Sequence, residues 1–525
     1  MMVWHIFKKD WKLMWKSAAV VMALQLAYAF IQTTSEFGRG NPVLEELHTL
    51  LMFLWLIAGM FWVVMLVHQD ALPGTKQDWL TRPIRRMDVL LAKVFFAALV
   101  MQGSSIAGDV LQGLGDGFSF GHTLRAALLR AAVGLIAITL PALVIGTLTQ
   151  SIAEAMILTA VLGCGIFVFT IMAVAAGGGY QHQFDPTNNS GIEWIPNLMR
   201  YVIVLLGGAA VLLIGYRRKT FRGRVVMAAV LLVTLCSQAT PWTPVFALEM
   251  RLSPRRGAAD GIDLSWHPHT TQTGEPVTRD YFDAVGIKLE SPNARDEVRL
   301  LFPISVTGLP TDSVLKTDLA HVVFTDGNGK HLSSTDGGSI EIRHEGAEGG
   351  PAAYDQAVKI PASTYQENKD RQVRAEMTYS MTLFKLRTSY SMPAIGGDRM
   401  MAGWGRCESK INGAGTAVEV MCLQMGKGPT CATVFLEDTR DGRRNRLNTT
   451  CFQNYSPYID RPIPDAVSRF KLVLPFRDPT GQMPYAVDGS RMDMAQIVIR
   501  VYEPADHFTR TVTSPLVAMK DLAVR

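Results

Sequence analysis

The chain has 525 residues, 48% of them hydrophobic, with a formal charge of +5 and six cysteines. That length excludes a single ordinary core, and so small a charge gives no argument for a nucleic-acid partner. The apolar content is divided unevenly: apolar runs fill residues 1 to about 245, whereas Gly, Pro, Asp and Arg recur from about 250 onward.

Residues 4–16 place Trp4, Phe7, Trp11, Met14 and Trp15 on one helical face, with Lys8, Lys9, Lys12 and Lys16 largely elsewhere. That spacing predicts a helix in the membrane interface, its indoles at headgroup level and its lysines toward anionic lipid. The alternative is the wet end of the first membrane helix. Spanning a bilayer takes roughly 20 apolar residues per helix. Seven segments qualify as candidates: 17–34, 50–67, 89–107, 131–150, 152–176, 198–215 and 225–241. The first follows a basic start and holds Ala27-Tyr28-Ala29, a passable signal-peptidase site, but the amphipathic segment ahead of it favours a retained span. Lys93 falls in the first turn of the third span and is expected to snorkel toward the interface. Pro141 predicts a kink in the fourth. Ser151 and Glu154 match a capping box at the start of the fifth, the alternative for Glu154 being a proton relay.

Orientation follows from the basic residues. With the N-terminus inside, Lys8, Lys9, Lys12, Lys16, Lys76, Arg82, Arg85, Arg86, Lys93, Arg217, Arg218, Lys219, Arg222 and Arg224 are cytoplasmic, against Arg39, Arg125, Arg130 and Arg200 outside. Under the positive-inside rule this puts everything after residue 245 on the outer face. Few charges fall within the spans, which disfavours a dedicated ion pathway. Residues 192–199 read either as a short re-entrant or interfacial helix or as a loop over the bundle.

Beyond Pro241 and an anchoring Trp242, residues 246–280 read as a linker. Strand-like stretches follow at 298–307, 321–325, 339–344, 373–386, 418–424, 431–437, 470–475 and 495–502, separated by turns such as Asp326-Gly327-Asn328-Gly329. Their density predicts an all-β domain of one or two β-sandwiches, with boundaries at 281–393 and 394–525. Cys407, Cys422, Cys431 and Cys451 cluster there, whereas Cys164 and Cys236 sit in spans. In an exported domain four cysteines read as two disulfides with three possible pairings. A turn at Asn412-Gly413-Ala414-Gly415 favours Cys407–Cys422, which leaves Cys431–Cys451.

No Gly-x4-Gly-Lys-Ser/Thr phosphate loop, His-Glu-x-x-His or Gly-x-Ser-x-Gly occurs, so neither catalysis nor a metal or other cofactor is expected. His267 and His269, the close histidine pair, read as a solvated strand. The segment between the second and third spans carries more. Trp79 and Leu80 are apolar, Thr81 can cap, Pro83 suits a first helical turn, and Arg82, Arg85 and Arg86 offer fixed charge to a partner's carboxylates. The plainer reading is charge that only sets orientation.

The pattern Gln77-Asp78-Trp79-Leu80-Thr81-Arg82-Pro83-Ile84-Arg85-Arg86 followed by Leu90-Leu91-Ala92-Lys93 resembles the loop after the second membrane helix of ABC-2 type transporter permeases. The likeness covers about residues 1–220 and includes the interfacial helix with Trp4, Phe7, Trp11 and Trp15. It implies a six-helix permease half, paired with a second copy or a related permease, in a bacterial-type inner membrane. It also implies a separate ABC ATPase subunit in contact with Asp78, Trp79, Arg82, Pro83, Arg85 and Arg86. A seventh span and a large outer β domain depart from that pattern, and a further extracytoplasmic partner is expected for the latter. The competing reading is a non-transporting receptor or envelope scaffold that binds through the β domain.

Overall fold

A computed structural model describes residues 2–37, 42–69, 85–176, 194–216, 220–237, 242–266, 297–337, 341–344, 352–401, 405–425, 431–445, 467–476 and 487–523. Helices α1 (Met2–Phe37) and α2 (Pro42–His68) form an antiparallel pair. Next come two long helical rods. Helix α3 (Arg86–Ala98) continues through a π turn at Leu99–Gly103 into α4 (Ser104–Gly115). Helix α5 (Phe120–Gly134) continues through a π turn at Leu135–Thr139 into α6 (Leu140–Leu148). Helices α7 (Ile152–Ala176), α8 (Trp194–Tyr216) and α9 (Thr220–Cys236) complete the apolar half.

Among the described residues, five helices are long and apolar enough to cross a membrane: Met2–Ile31, Glu46–His68, Arg86–Gly115, Phe120–Leu148 and Ile195–Tyr216. The chain is therefore a multi-pass membrane protein. The third and fourth spans are longer than their apolar cores suggest, since each rod buries polar residues in its extension. Pro141 sits in the turn after the second π segment, where Leu140 N–H bonds back to Leu135 O. The widened turn thus lies directly before the proline, which has no amide donor of its own.

Between membrane and sheet the expected linker is partly ordered. Helix α10 (Trp242–Leu252) and strand β1 (Asp263–Trp266) lie in it, the strand pairing with β2 (Glu297–Thr307). Residues 267–296, with His267 and His269, fall outside the described residues. The remaining strands are β3 (Ser313–Asp326), β4 (His331–Gly337), β5 (Glu341–His344), β6 (Ala352–Pro361), β7 (Gln372–Pro393), β8 (Asp398–Met401), β9 (Gly405–Ile411), β10 (Ala417–Met425), β11 (Cys431–Asp438), β12 (Val467–Pro475), β13 (Ala495–Thr513) and β14 (Val517–Ala518). A short helix, α11 (Ala362–Asn368), connects β6 to β7.

All the described pairings are antiparallel. A ten-stranded sheet runs β1-β2-β6-β4-β3-β7-β13-β11, with β14 and β5 beside it, and a four-stranded sheet runs β12-β10-β9-β8. Two apolar cores form, one around Phe302, Phe324, Met377 and Tyr379 and the other around Val420, Val434, Leu436 and Ile497. They share a floor, because β7 and β13 pair from Glu376–Thr513 to Pro393–Gln496 and cross from one core to the other. The boundary near residue 393 thus separates cores without dividing the sheet.

Cys407 and Cys422 lie opposite each other on β9 and β10 and are bonded, as the Asn412–Gly415 turn suggests. Cys431 is also disulfide-bonded, and Cys451 lies outside the described residues.

Candidate functional site

Helix α1 presents Phe7, Asp10, Met14, Ala18, Val21, Gln25 and Tyr28 as one buried stripe. Their spacing of three and four is the helical repeat, so the stripe faces the bundle along its length. Two polar side chains interrupt it. Asp10 pairs with Lys93 of α3 at 2.9 Å, both side chains fully buried. Lys93 therefore points into the bundle, where a carboxylate compensates its charge, and does not snorkel. Phe7 is sealed against Phe95 and Phe96 at ring distances of 5.3 Å each. Trp4 stacks on Phe7 at 5.0 Å, and Trp11 lies 5.7 Å from Phe96. Trp4, Trp11 and Trp15 remain exposed, together with the four lysines, whereas Phe7 belongs to the interior.

The 70–84 segment, with Asp78, Trp79, Arg82 and Pro83, lies outside the described residues. Its downstream flank is described. Arg85 occupies the N-cap of α3 in extended backbone, its carbonyl accepting from Asp88 N–H. Arg86 Nη1 donates to Tyr216 O, the last carbonyl of α8, at 3.3 Å. At the same end Arg224 Nη2 donates to Leu148 O at 2.9 Å, and His68 Nε2 lies 3.0 Å from Gly146 O. Arg224 and Arg86 thus meet the negative ends of α6 and α8. Glu154 caps α7: its amide donates to Ser151 Oγ at 3.2 Å, and its carboxylate accepts from Gln150 N–H and pairs with Arg224.

From the first π turn through α4 to its C-cap, Gln102, Ser105, Asp109, Gln112 and Asp116 follow the same three-four spacing and are all buried. The Gln102 side-chain amide oxygen accepts from Thr139 Oγ1 at 3.0 Å, joining the two π turns. Asp109 pairs with Arg130 of α5. Arg130, expected outside the membrane, therefore belongs to the bundle interior, and the spans hold more buried charge than their hydropathy suggests. Helical spacing of these polar residues was the available signal, since an acid at a seam position of an apolar helix marks an interior face.

The α4–α5 hairpin ends on the sheet. Gly117, at φ +84°, closes α4 with Gly117 N–H to Leu114 O and Phe118 N–H to Gly113 O, the paired bonds of a Schellman motif. Phe118 and Ala126 pack on Leu423, Met425 and Val467 of β10 and β12, and His122 Nε2 donates to Met425 O at 3.4 Å. Asp116 is fully buried at this seat. Burial raises its carboxyl to about 6, the Arg406 charge drawing it partly back.

Linkage fixes the sign. A carboxyl raised in the folded state stabilises the seat fully below its unfolded value of 3.8, and that stability is lost as pH rises through about 6. Thermal melts at pH 4 and pH 7 should therefore show the seat weaker at pH 7, with Asp116→Asn removing this increment. An unchanged pH difference in Asp116→Asn would discount the role. The comparison with the variant is needed because His507, lowered to about 4 chiefly by burial, acts in the opposite direction.

His507 belongs to a second joint. Glu249 of α10 lies 3.4 Å from His507 Nε2, and Thr382 Oγ1 lies 2.9 Å from His507 Nδ1 while donating to Asp318 Oδ2 at 2.5 Å. Ser253 Oγ accepts from His507 N–H at 2.9 Å, and Asp506 accepts from Gly257 N–H at 2.9 Å. Helix α10 is thereby fastened to β13, and the membrane half meets the β half at two separate places. No group of three or more His, Cys, Asp or Glu suited to a metal occurs among the described residues.

No family model and no curated protein matches this chain. Among solved structures, a red sea bream transglutaminase is similar at 9% identity and a TM-score of 0.12, over 47% of this chain and 34% of that one. The chain spans about a third of that protein, and so low a score supports no inference about fold or activity.

Proposed function

We propose that this chain is the membrane-spanning permease subunit of an ATP-driven transporter, moved by a separate ATPase through the 70–93 segment. The observation that supports this reading is the rod Arg86–Gly115. It starts directly after the basic segment, is tied to α1 by the Asp10–Lys93 pair, and ends on β10 and β12. At 1.5 Å per residue the rod spans about 45 Å, enough to carry a displacement from one end of the bundle to the other. The absence of a phosphate loop leaves ATP hydrolysis to the partner. The β domain then faces the extracytoplasmic side and meets cargo or an envelope partner there, and the bundle pairs with a second copy or a related permease in a bacterial-type inner membrane.

The alternative is a scaffold whose β domain binds a partner, and the double fastening at Met425 and His507 favours it. Co-purification separates the two. A separately encoded ATPase should be retained by the wild type and lost at least tenfold by Arg82→Glu/Arg85→Glu. Arg86 is left intact in that variant because it caps α8. Undiminished retention by correctly inserted protein would remove the coupling role.

A further inference from the structure

Gln25 is the second polar interruption of the α1 stripe, and it is fully buried. Among the described residues, neither its amide nitrogen nor its amide oxygen has a hydrogen-bond partner. In hydrocarbon an unsatisfied amide costs several kcal/mol, so a retained glutamine needs a reason at this place.

Neighbouring contacts fix its surroundings. On the α2 side, Trp62 Nε1 donates to Ser17 Oγ, Gly59 sits between Val21 and Met101, and Tyr28 stacks on His48 at 4.7 Å. The antiparallel register thus brings Trp55 level with Gln25, and the Trp55 ring lies 6.4 Å from Tyr28. Trp55 is buried too, and its Nε1–H has no partner among the described residues. On the α4 side, α1 runs parallel: Val21 lies at the level of Met101 and Ala29 meets Gly108, so Ser104 and Ser105 are the α4 residues opposite Gln25. Ser104 is already bonded to Val100 O.

Among the described residues, the Gln25 amide and Trp55 Nε1–H thus lie at one level of the bundle without protein partners, in the half nearer the sheet. Each group is neutral. The nearest buried ion pair on α4, Asp109 with Arg130, is internally compensated, so a charged ligand would find no free counter-charge.

We propose that Gln25 and Trp55 form a binding position for a neutral hydrogen-bonding group of the cargo, a carboxamide or a hydroxyl. The cargo assignment rests on the permease reading above. The binding position itself can be tested without any ATPase, so the two fail separately.

The probes are iodoacetamide, which is neutral and carries a carboxamide, and iodoacetate, its anionic counterpart of similar size. The reporter is Ser105→Cys in full-length protein held in nanodiscs, with Cys164 and Cys236 replaced by Ala because both are exposed free thiols. Rates are normalised to Lys330→Cys on the exposed turn of the β domain. Iodoacetamide should alkylate Ser105→Cys at least tenfold faster than Ile57→Cys, which faces outward on α2. Iodoacetate should be at least tenfold slower than iodoacetamide at Ser105→Cys after normalisation. Adding Gln25→Leu or Trp55→Phe should lower the iodoacetamide rate about tenfold. Equal rates at Ser105→Cys and Ile57→Cys overturn the site, and equal normalised rates for the two probes overturn its neutral specificity. Ser104→Cys serves as the reporter if Ser105→Cys does not fold.

Discussion

Replacing Lys93 with alanine is expected to destabilise the membrane half by about 3–5 kcal/mol, the cost of removing one partner of a buried ion pair. Asp10 would remain in a site from which water is excluded, one turn from the aromatic seal of Phe7, Phe95 and Phe96. The double variant Asp10→Leu/Lys93→Leu should recover most of that loss, because two apolar side chains of similar volume remove the desolvation cost as well as the attraction. Thermal unfolding in detergent, read alongside the single variants, measures the coupling. A double variant as unstable as Lys93→Ala would mean that the pair contributes through something other than charge compensation.

Arg130→Ala should have a loss of similar size but a different local consequence. Asp109 would be left buried between α4 and α5, and the hairpin that rests on Met425 would lose the tie at its centre. The expected result is a destabilisation of about 3–5 kcal/mol together with faster proteolysis at the hairpin tip. Asp109→Leu/Arg130→Leu should restore stability. A cysteine pair at Phe118 and Leu423 reports the seat directly: its oxidation should slow in Arg130→Ala and return to the wild-type rate in the double variant. Unchanged cross-linking in Arg130→Ala would show that the hairpin tip holds its place without the ion pair.

Much of the fold was legible in residue patterns. Long apolar runs announce membrane helices, and the alternation Val373, Ala375, Met377, Tyr379, Met381, Leu383 announces a strand with one face on a core, all six being fully buried. Opposed cysteines around a glycine-containing turn announce Cys407–Cys422. Each depends on neighbours in sequence, where spacing alone carries the physics. The candidate site was less legible. Lys93 read as an interfacial cation and Arg130 as an outer one, because hydropathy assigns a charge to water unless a partner is in view. The partners, Asp10 and Asp109, lie 83 and 21 residues away in the chain.

The sequence by itself determined that this is a membrane protein with a large β domain and no phosphate loop of its own. Periodicity, composition and turn chemistry are local properties, and they suffice for that. Tertiary structure decided which polar residues face inward, that the 86–115 rod joins the basic segment to the sheet, and that one continuous sheet underlies both β cores. Those outcomes depend on which helix or strand lies beside which. Burial and pairing of a charge are properties of two surfaces together, so a single stretch of chain does not contain them.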